Sequence, residues 1–166
     1  AKKYSKGKPL VQAQIRLLNL INEVAQLQQI DTKNQKVLLP DLIWLYKEIP
    51  SDTLLRKNFR YEYASNWIKE VLSANYSKAN DPVMAELLSS EQGFYDDKSQ
   101  GDAMENFLLQ TDKNAWQELF ATLYPYSLSD IYESRAIYSY YQNRIDDAIA
   151  LMQKATPHKP KTNYGY

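Results

Sequence analysis

Apolar residues recur along most of the chain at steps of three and four, the period of a helix with one buried face. Pro9 can open a first helix. Leu10, Ile15, Leu18, Ile21, Val24 and Ala25, with Leu17 and Leu20 beside them, give it a broad apolar face. The run Ile30-Asp31-Thr32-Lys33-Asn34 ends it. Val37-Leu38-Leu39 leads into Pro40, and a residue before proline is pushed away from helical angles, so this stretch reads as extended or as the start of a short helix. Pro40 to Glu48 reads as a short helix that Pro50 stops, with Leu42, Leu45 and Tyr46 packing. Ser51 or Asp52 then caps a third long helix. Its face steps through Leu55, Phe59, Tyr63, Trp67 and Val71, is widened by Leu54, Ala64, Ile68 and Leu72, and fades after Ser73.

Asp81-Pro82 is a strong start signal, a capping carboxylate followed by proline in the first turn. A helix from Pro82 to about Ser90 follows. Gln92 to Gly101 holds two glycines and little periodicity, which predicts a loop. Ala103 to Gln110 is helical through Met104, Phe107 and Leu108. Asp112 is placed to cap a further helix that aligns Trp116, Leu119, Phe120 and Leu123.

The last segment organises the rest. Pro125 ends what precedes it, and Ser127 or Ser129 can cap a new helix. Ile131, Arg135, Tyr138 and Gln142 share one stripe, and Tyr132, Ala136 and Tyr140 share the next. Asn143-Arg144 is the natural break, because asparagine tolerates the left-handed conformation that ends helices. Asp146 and Asp147 fall in the first turn of the second helix, where negative charge suits the dipole. Ile145, Ala148, Ile149, Met152 and Ala155 form one apolar face, Lys154 and His158 lie at the far end, and Pro157 stops the helix.

These residues resemble a tetratricopeptide repeat, a helix pair of about 34 residues with small side chains where the helices cross. Tyr132 falls at the early aromatic position, Ala136 at the first small position and Asn143 at the turn. Ala148, Met152 and Ala155 follow the small–large–small pattern, and Pro160 takes the closing proline. Arg135 and Ser139 depart from the pattern, standing where an apolar and an aromatic or aliphatic residue are expected. The resemblance covers residues 129–160, about one repeat, and no 34-residue self-similarity is evident upstream. The segment from Arg135 to Ala155 is similar to repeat-containing proteins of Bacteroidetes-type bacteria, which end such a pair before a Gly-Tyr-rich loop, as Asn163-Tyr164-Gly165-Tyr166 does here. The resemblance implies that the first helix of the pair lines a concave face, carrying Glu133, Ile137, Tyr140 and Tyr141.

A length of 166 residues suits a single helical domain over 1–166. Twenty basic and twenty acidic residues cancel, so no global field favours nucleic acid. Scarce glycine, at four residues, favours helices over a turn-rich β fold. The absence of cysteine removes disulfides and thiolate chemistry. The richest apolar run, Leu42 to Tyr46, is far short of a membrane span. The first residue is Ala1, compatible with a soluble periplasmic or secreted protein after removal of a signal peptide, and the ending Tyr164-Gly165-Tyr166 reads as a chain that continues. Lys2, Lys3, Lys6 and Lys8 suggest a solvated basic terminus.

Candidate chemistry is sparse. The single histidine, His158, sits among lysines, which argues against a histidine triad or a two-histidine metal site. From Asp96, Gly101 falls at the sixth position of a calcium loop, but Lys98 and Phe107 occupy ligand positions, so neither metal nor cofactor is expected. The unusual feature is tyrosine: 14 in all, with Tyr124, Tyr126, Tyr132, Tyr138, Tyr140 and Tyr141 close together. Tyr140 and Tyr141, with Ile137, either line a groove for a peptide or glycan, or pack helices with their hydroxyls at the surface. The expected fold is all-α, antiparallel helix pairs in a short right-handed superhelix, with a compact bundle as the alternative. The expected function is a non-catalytic module binding a protein or peptide. A carbohydrate-binding or envelope-associated protein is the alternative, and an acid–base enzyme using carboxylates and tyrosines stands behind both.

Overall fold

The structure, a computed structural model, describes residues 8–89 and 98–159. These residues are all-α, with no strand among them, and their helices pack in pairs. The helices are α1 (Pro9–Ala25), α2 (Thr32–Ile43), α3 (Ile49–Ser51), α4 (Thr53–Asn58), α5 (Glu62–Lys78), α6 (Pro82–Leu88), α7 (Lys98–Leu109), α8 (Ala115–Leu123), α9 (Leu128–Tyr141) and α10 (Ile145–Ala155). Contacts cluster in two units, one of α1–α6 with α8, the other of α7, α9 and α10. The basic residues Lys2, Lys3 and Lys6, the loop residues 92–97 with Asp96 and Asp97, and the tail from Pro160 onward lie outside the described residues.

In the first unit, local chemistry sets the helix starts. The Asp31 side chain accepts from the Asn34 amide at 2.8 Å, so part of the stretch read as a terminator is the cap of α2. Helix α2 runs through Pro40, where the sequence suggested an extended segment or a new start. Lys36 and Pro40 are both exposed, so proline interrupts the hydrogen-bond ladder on the outer side of the helix, while Leu38 and Leu42 hold the inner side. The path then widens into a π-helical turn over Trp44–Glu48, which passes directly into α3, so the helical path runs one residue beyond Pro50.

The third long helix is instead two. Asp52 caps the short α4, accepting from the Leu55 amide at 2.9 Å. Phe59 then leaves the helix for an extended conformation, which buries its ring 6.4 Å from Trp44 and 6.2 Å from Tyr61. Helix α5 starts afresh and runs to Lys78, beyond the expected fade at Ser73. Its buried face is Ser65, Ile68, Leu72 and Tyr76, leaving Tyr63 94% exposed and Trp67 partly exposed. The face of α1 is likewise rotated: Ala13, Leu17, Leu20 and Val24 are buried and Leu18 is 64% exposed.

Asp81 caps α6 as expected, accepting from the Met84 amide at 3.1 Å with Pro82 in the first turn. Helix α8 begins at Ala115 under a reciprocal cap. The Asn114 side chain accepts from the Gln117 amide at 2.8 Å, and the Gln117 side chain accepts from the Asn114 amide at 3.1 Å. Asn114, rather than Asp112, performs the capping. Trp116, Leu119 and Phe120 are buried, and the Phe120 ring meets Trp116 and Tyr46 edge-on at 5.1 and 6.3 Å.

Candidate interaction face

The second unit is built around α9. Ser127 caps it: its hydroxyl accepts from the Asp130 amide at 3.3 Å, and the Asp130 carboxylate accepts from the Ser127 amide at 2.7 Å. The Ser127 hydroxyl also donates to the Asp130 carboxylate at 2.6 Å, and this bond first, with the one from the Ser127 amide second, holds the Asp130 carboxyl below its ordinary range. At the far end Asn143 adopts φ 59°, and the Arg144 amide donates back to the Ser139 carbonyl at 2.8 Å. The chain therefore reverses within a few residues and α10 packs along α9. Small residues permit a close approach: Ala136 and Ser139 are buried on α9, Ala148 and Ala155 on α10.

Helix α9 is tied to α7 by a buried cation. Arg135 Nη2 lies 2.6 Å from Asp102 Oδ1, and Nη1 lies 3.4 Å from Glu105 Oε2. Lys154 reaches the other oxygen of Glu105 at 3.7 Å. Residues 98–101 belong to α7 rather than to a loop, and Gly101 sits against the Arg135 side chain. A larger residue there must displace that side chain, because a Cβ on Gly101 would stand 2.5 Å from Arg135 Nε. The same cluster surrounds Tyr132, whose phenol is pushed up to about 12 by burial first and by the Glu105 carboxylate second, with Arg135 opposing. The Tyr132 ring also meets His158, which is exposed, at 5.9 Å.

One side of the α9/α10 pair is an exposed apolar surface. Ile137, Tyr140 and Tyr141 from α9 meet Ile145, Ile149 and Met152 from α10 along an open groove of about 790 Å³. Ala136, Ala148, Gln153 and Thr156 also line it, and among the described residues none of the lining carries a charge. Tyr141 is 78% exposed, and its ring meets that of Tyr140 edge-on at 6.0 Å. This surface can offer apolar contact and phenolic hydrogen bonds. Among the described residues, no three His, Cys, Asp or Glu side chains gather in a metal-holding cluster. No described helix is long and apolar enough to cross a membrane. A smaller cleft of about 190 Å³ in the first unit is lined by Gln35, Leu39 and Trp116 among others.

Of the four residues expected on a binding face, Ile137, Tyr140 and Tyr141 come together in the groove. Glu133 is not part of the lining. Its carboxylate pairs with Lys159 Nζ at 2.8 Å. Ile145, Ile149 and Met152 are partners that the sequence did not assign to that face. Their periodicity was legible, but spacing describes a covered face and an uncovered one equally well, and here only Ala148 and Ala155 of that stripe are buried.

Comparison of the chain with protein-family models, with curated proteins and with solved structures gave no match.

Proposed function

We propose that the chain is a non-catalytic interaction module that holds a helix or peptide of a protein partner against the α9/α10 face. One observation carries this reading: an uncharged, uncovered apolar groove bounded by two helices and rich in aromatic surface. Buried interface centres are depleted in charge and enriched in tyrosine and methionine, and tyrosine contributes a large contact area at low entropic cost. The tetratricopeptide-like reading of residues 129–160 is part of the proposal. It is supported by the small residues buried on both helices and by the asparagine turn between them. Carbohydrate is the weaker alternative, because a sugar needs several hydrogen-bonding groups beside the rings. Beyond the tyrosine hydroxyls, the described lining supplies only the Gln153 and Thr156 side chains.

The test is affinity capture from the source cell with immobilised wild-type protein and a Tyr140→Ala/Tyr141→Ala variant, the fold of each checked by circular dichroism. A partner retained by the wild type should be lost, or weakened at least about tenfold, by the variant, as expected when two anchoring aromatics are truncated. Unchanged affinity for every detectable partner would remove the reading.

A further inference from the structure

Resting on the reading of the α9/α10 face as an interaction surface, we infer that its occupant is a second copy of this chain, joined face to face in a two-fold dimer.

The first argument is area. Ile137, Tyr140, Tyr141, Ile145, Ile149 and Met152 are 42–78% exposed and contiguous along the groove. Together they present on the order of 700 Å² of largely apolar surface, taking ~150–250 Å² for a fully exposed aromatic side chain. The largest patch on a typical monomer is ~300–600 Å², and a stable interface buries about 800 Å² per partner. The groove lies at the scale a dimer needs.

The second argument is charge. In a two-fold interface one patch must be its own complement, so a net charge on it is repelled by the same net charge on the other copy. Among the described residues, the groove lining has none. Among the described residues, charges on and beside α9 and α10 pair within the chain: Glu133 with Lys159 at 2.8 Å, Arg144 with Asp147 at 3.7 Å, and Lys154 with Glu105 at 3.7 Å. These pairs leave little for an oppositely charged partner to match and little to repel an identical one. Asp146 is exposed and adds one carboxylate per copy at the margin, where solvent screens it. Stacking two antiparallel pairs through this stripe creates a four-helix arrangement with an apolar seam.

The experiment is sedimentation velocity on the full chain over a wide concentration series. The wild type should pass from one chain to two. Ile149→Glu and Tyr141→Glu change exposed residues, so the fold should survive, as circular dichroism would verify. Each should weaken association at least about tenfold. Leu18→Glu, exposed on α1 in the other unit, should leave it unchanged. A wild type that stays monomeric throughout overturns the inference, as does association insensitive to the groove variants or equally damaged by Leu18→Glu. If the protein is monomeric yet captures another protein in a Tyr140- and Tyr141-dependent way, the dimer fails and the interaction reading stands. If it is monomeric and captures nothing in that way, both fail.

Discussion

Alanine normally stabilises a helix relative to glycine, by up to about 1 kcal/mol. Gly101 lies in α7, so Gly101→Ala carries that expectation, yet the structure reverses its sign. The added Cβ would stand 2.5, 2.8 and 2.9 Å from Nε, Cζ and Cδ of Arg135. A free arginine would swing away at little cost. This one is 7% exposed and held by Asp102 at 2.6 Å and Glu105 at 3.4 Å, so moving it strains or breaks the ion pairs of a buried cation. Overpacking of this kind costs about 1–3 kcal/mol, so after the helix gain the net loss should be up to about 2 kcal/mol. In an Arg135→Met background the obstacle becomes a pliable thioether, and Gly101→Ala should be neutral or stabilising by up to ~1 kcal/mol. The four proteins form a double-mutant cycle with a coupling of at least ~1 kcal/mol. Urea unfolding followed by far-ultraviolet circular dichroism measures it, with amide exchange in α7 and α9 as the local readout. If Gly101→Ala stabilised both backgrounds equally, the steric account of this glycine would be refuted.

Two further outcomes follow from the second unit. Ser127→Ala should cost about 1 kcal/mol and let the Asp130 carboxyl return upward, because the Ser127 hydroxyl and amide are what hold it low. A carboxyl held low in the folded state contributes stability above its ordinary value of about 4 that is lost as pH falls through the folded value, so the variant's extra sensitivity to acid should be smaller. An Asp130 titration by NMR that is identical in both proteins would contradict this. The Tyr132 phenol, pushed up to about 12, contributes stability that is present below the ordinary value of about 10 and lost as pH rises toward 12. Alkaline absorbance titration of the folded protein should show a late-ionising fraction, smaller by one phenol in Tyr132→Phe. An undiminished late fraction would count against the assignment.

The sequence by itself determined the all-α class and much of the punctuation, because a cap or a turn depends on residues a few positions apart. Asp81 before Pro82, Ser127 before α9 and Asn143 after it could all be read from short-range chemistry, and each stands where that chemistry places it. Which stripe of a helix is buried is a different kind of question. Helix α1 carries Leu17, Leu18, Leu20 and Ile21 on several sides, so its pattern allows more than one inward face, and the neighbouring helices choose between them. Phe59 left the expected helix to reach Trp44, a contact across many residues that no local pattern encodes. Arg135 looked like a fault in an apolar stripe until α7 supplied Asp102, Glu105 and the space above Gly101. The candidate face divides in the same way. Its aromatic and aliphatic residues were visible as periodic positions. Their exposure was decided by tertiary packing, which engaged α9 with α7 and α10 and left the other side of the pair open.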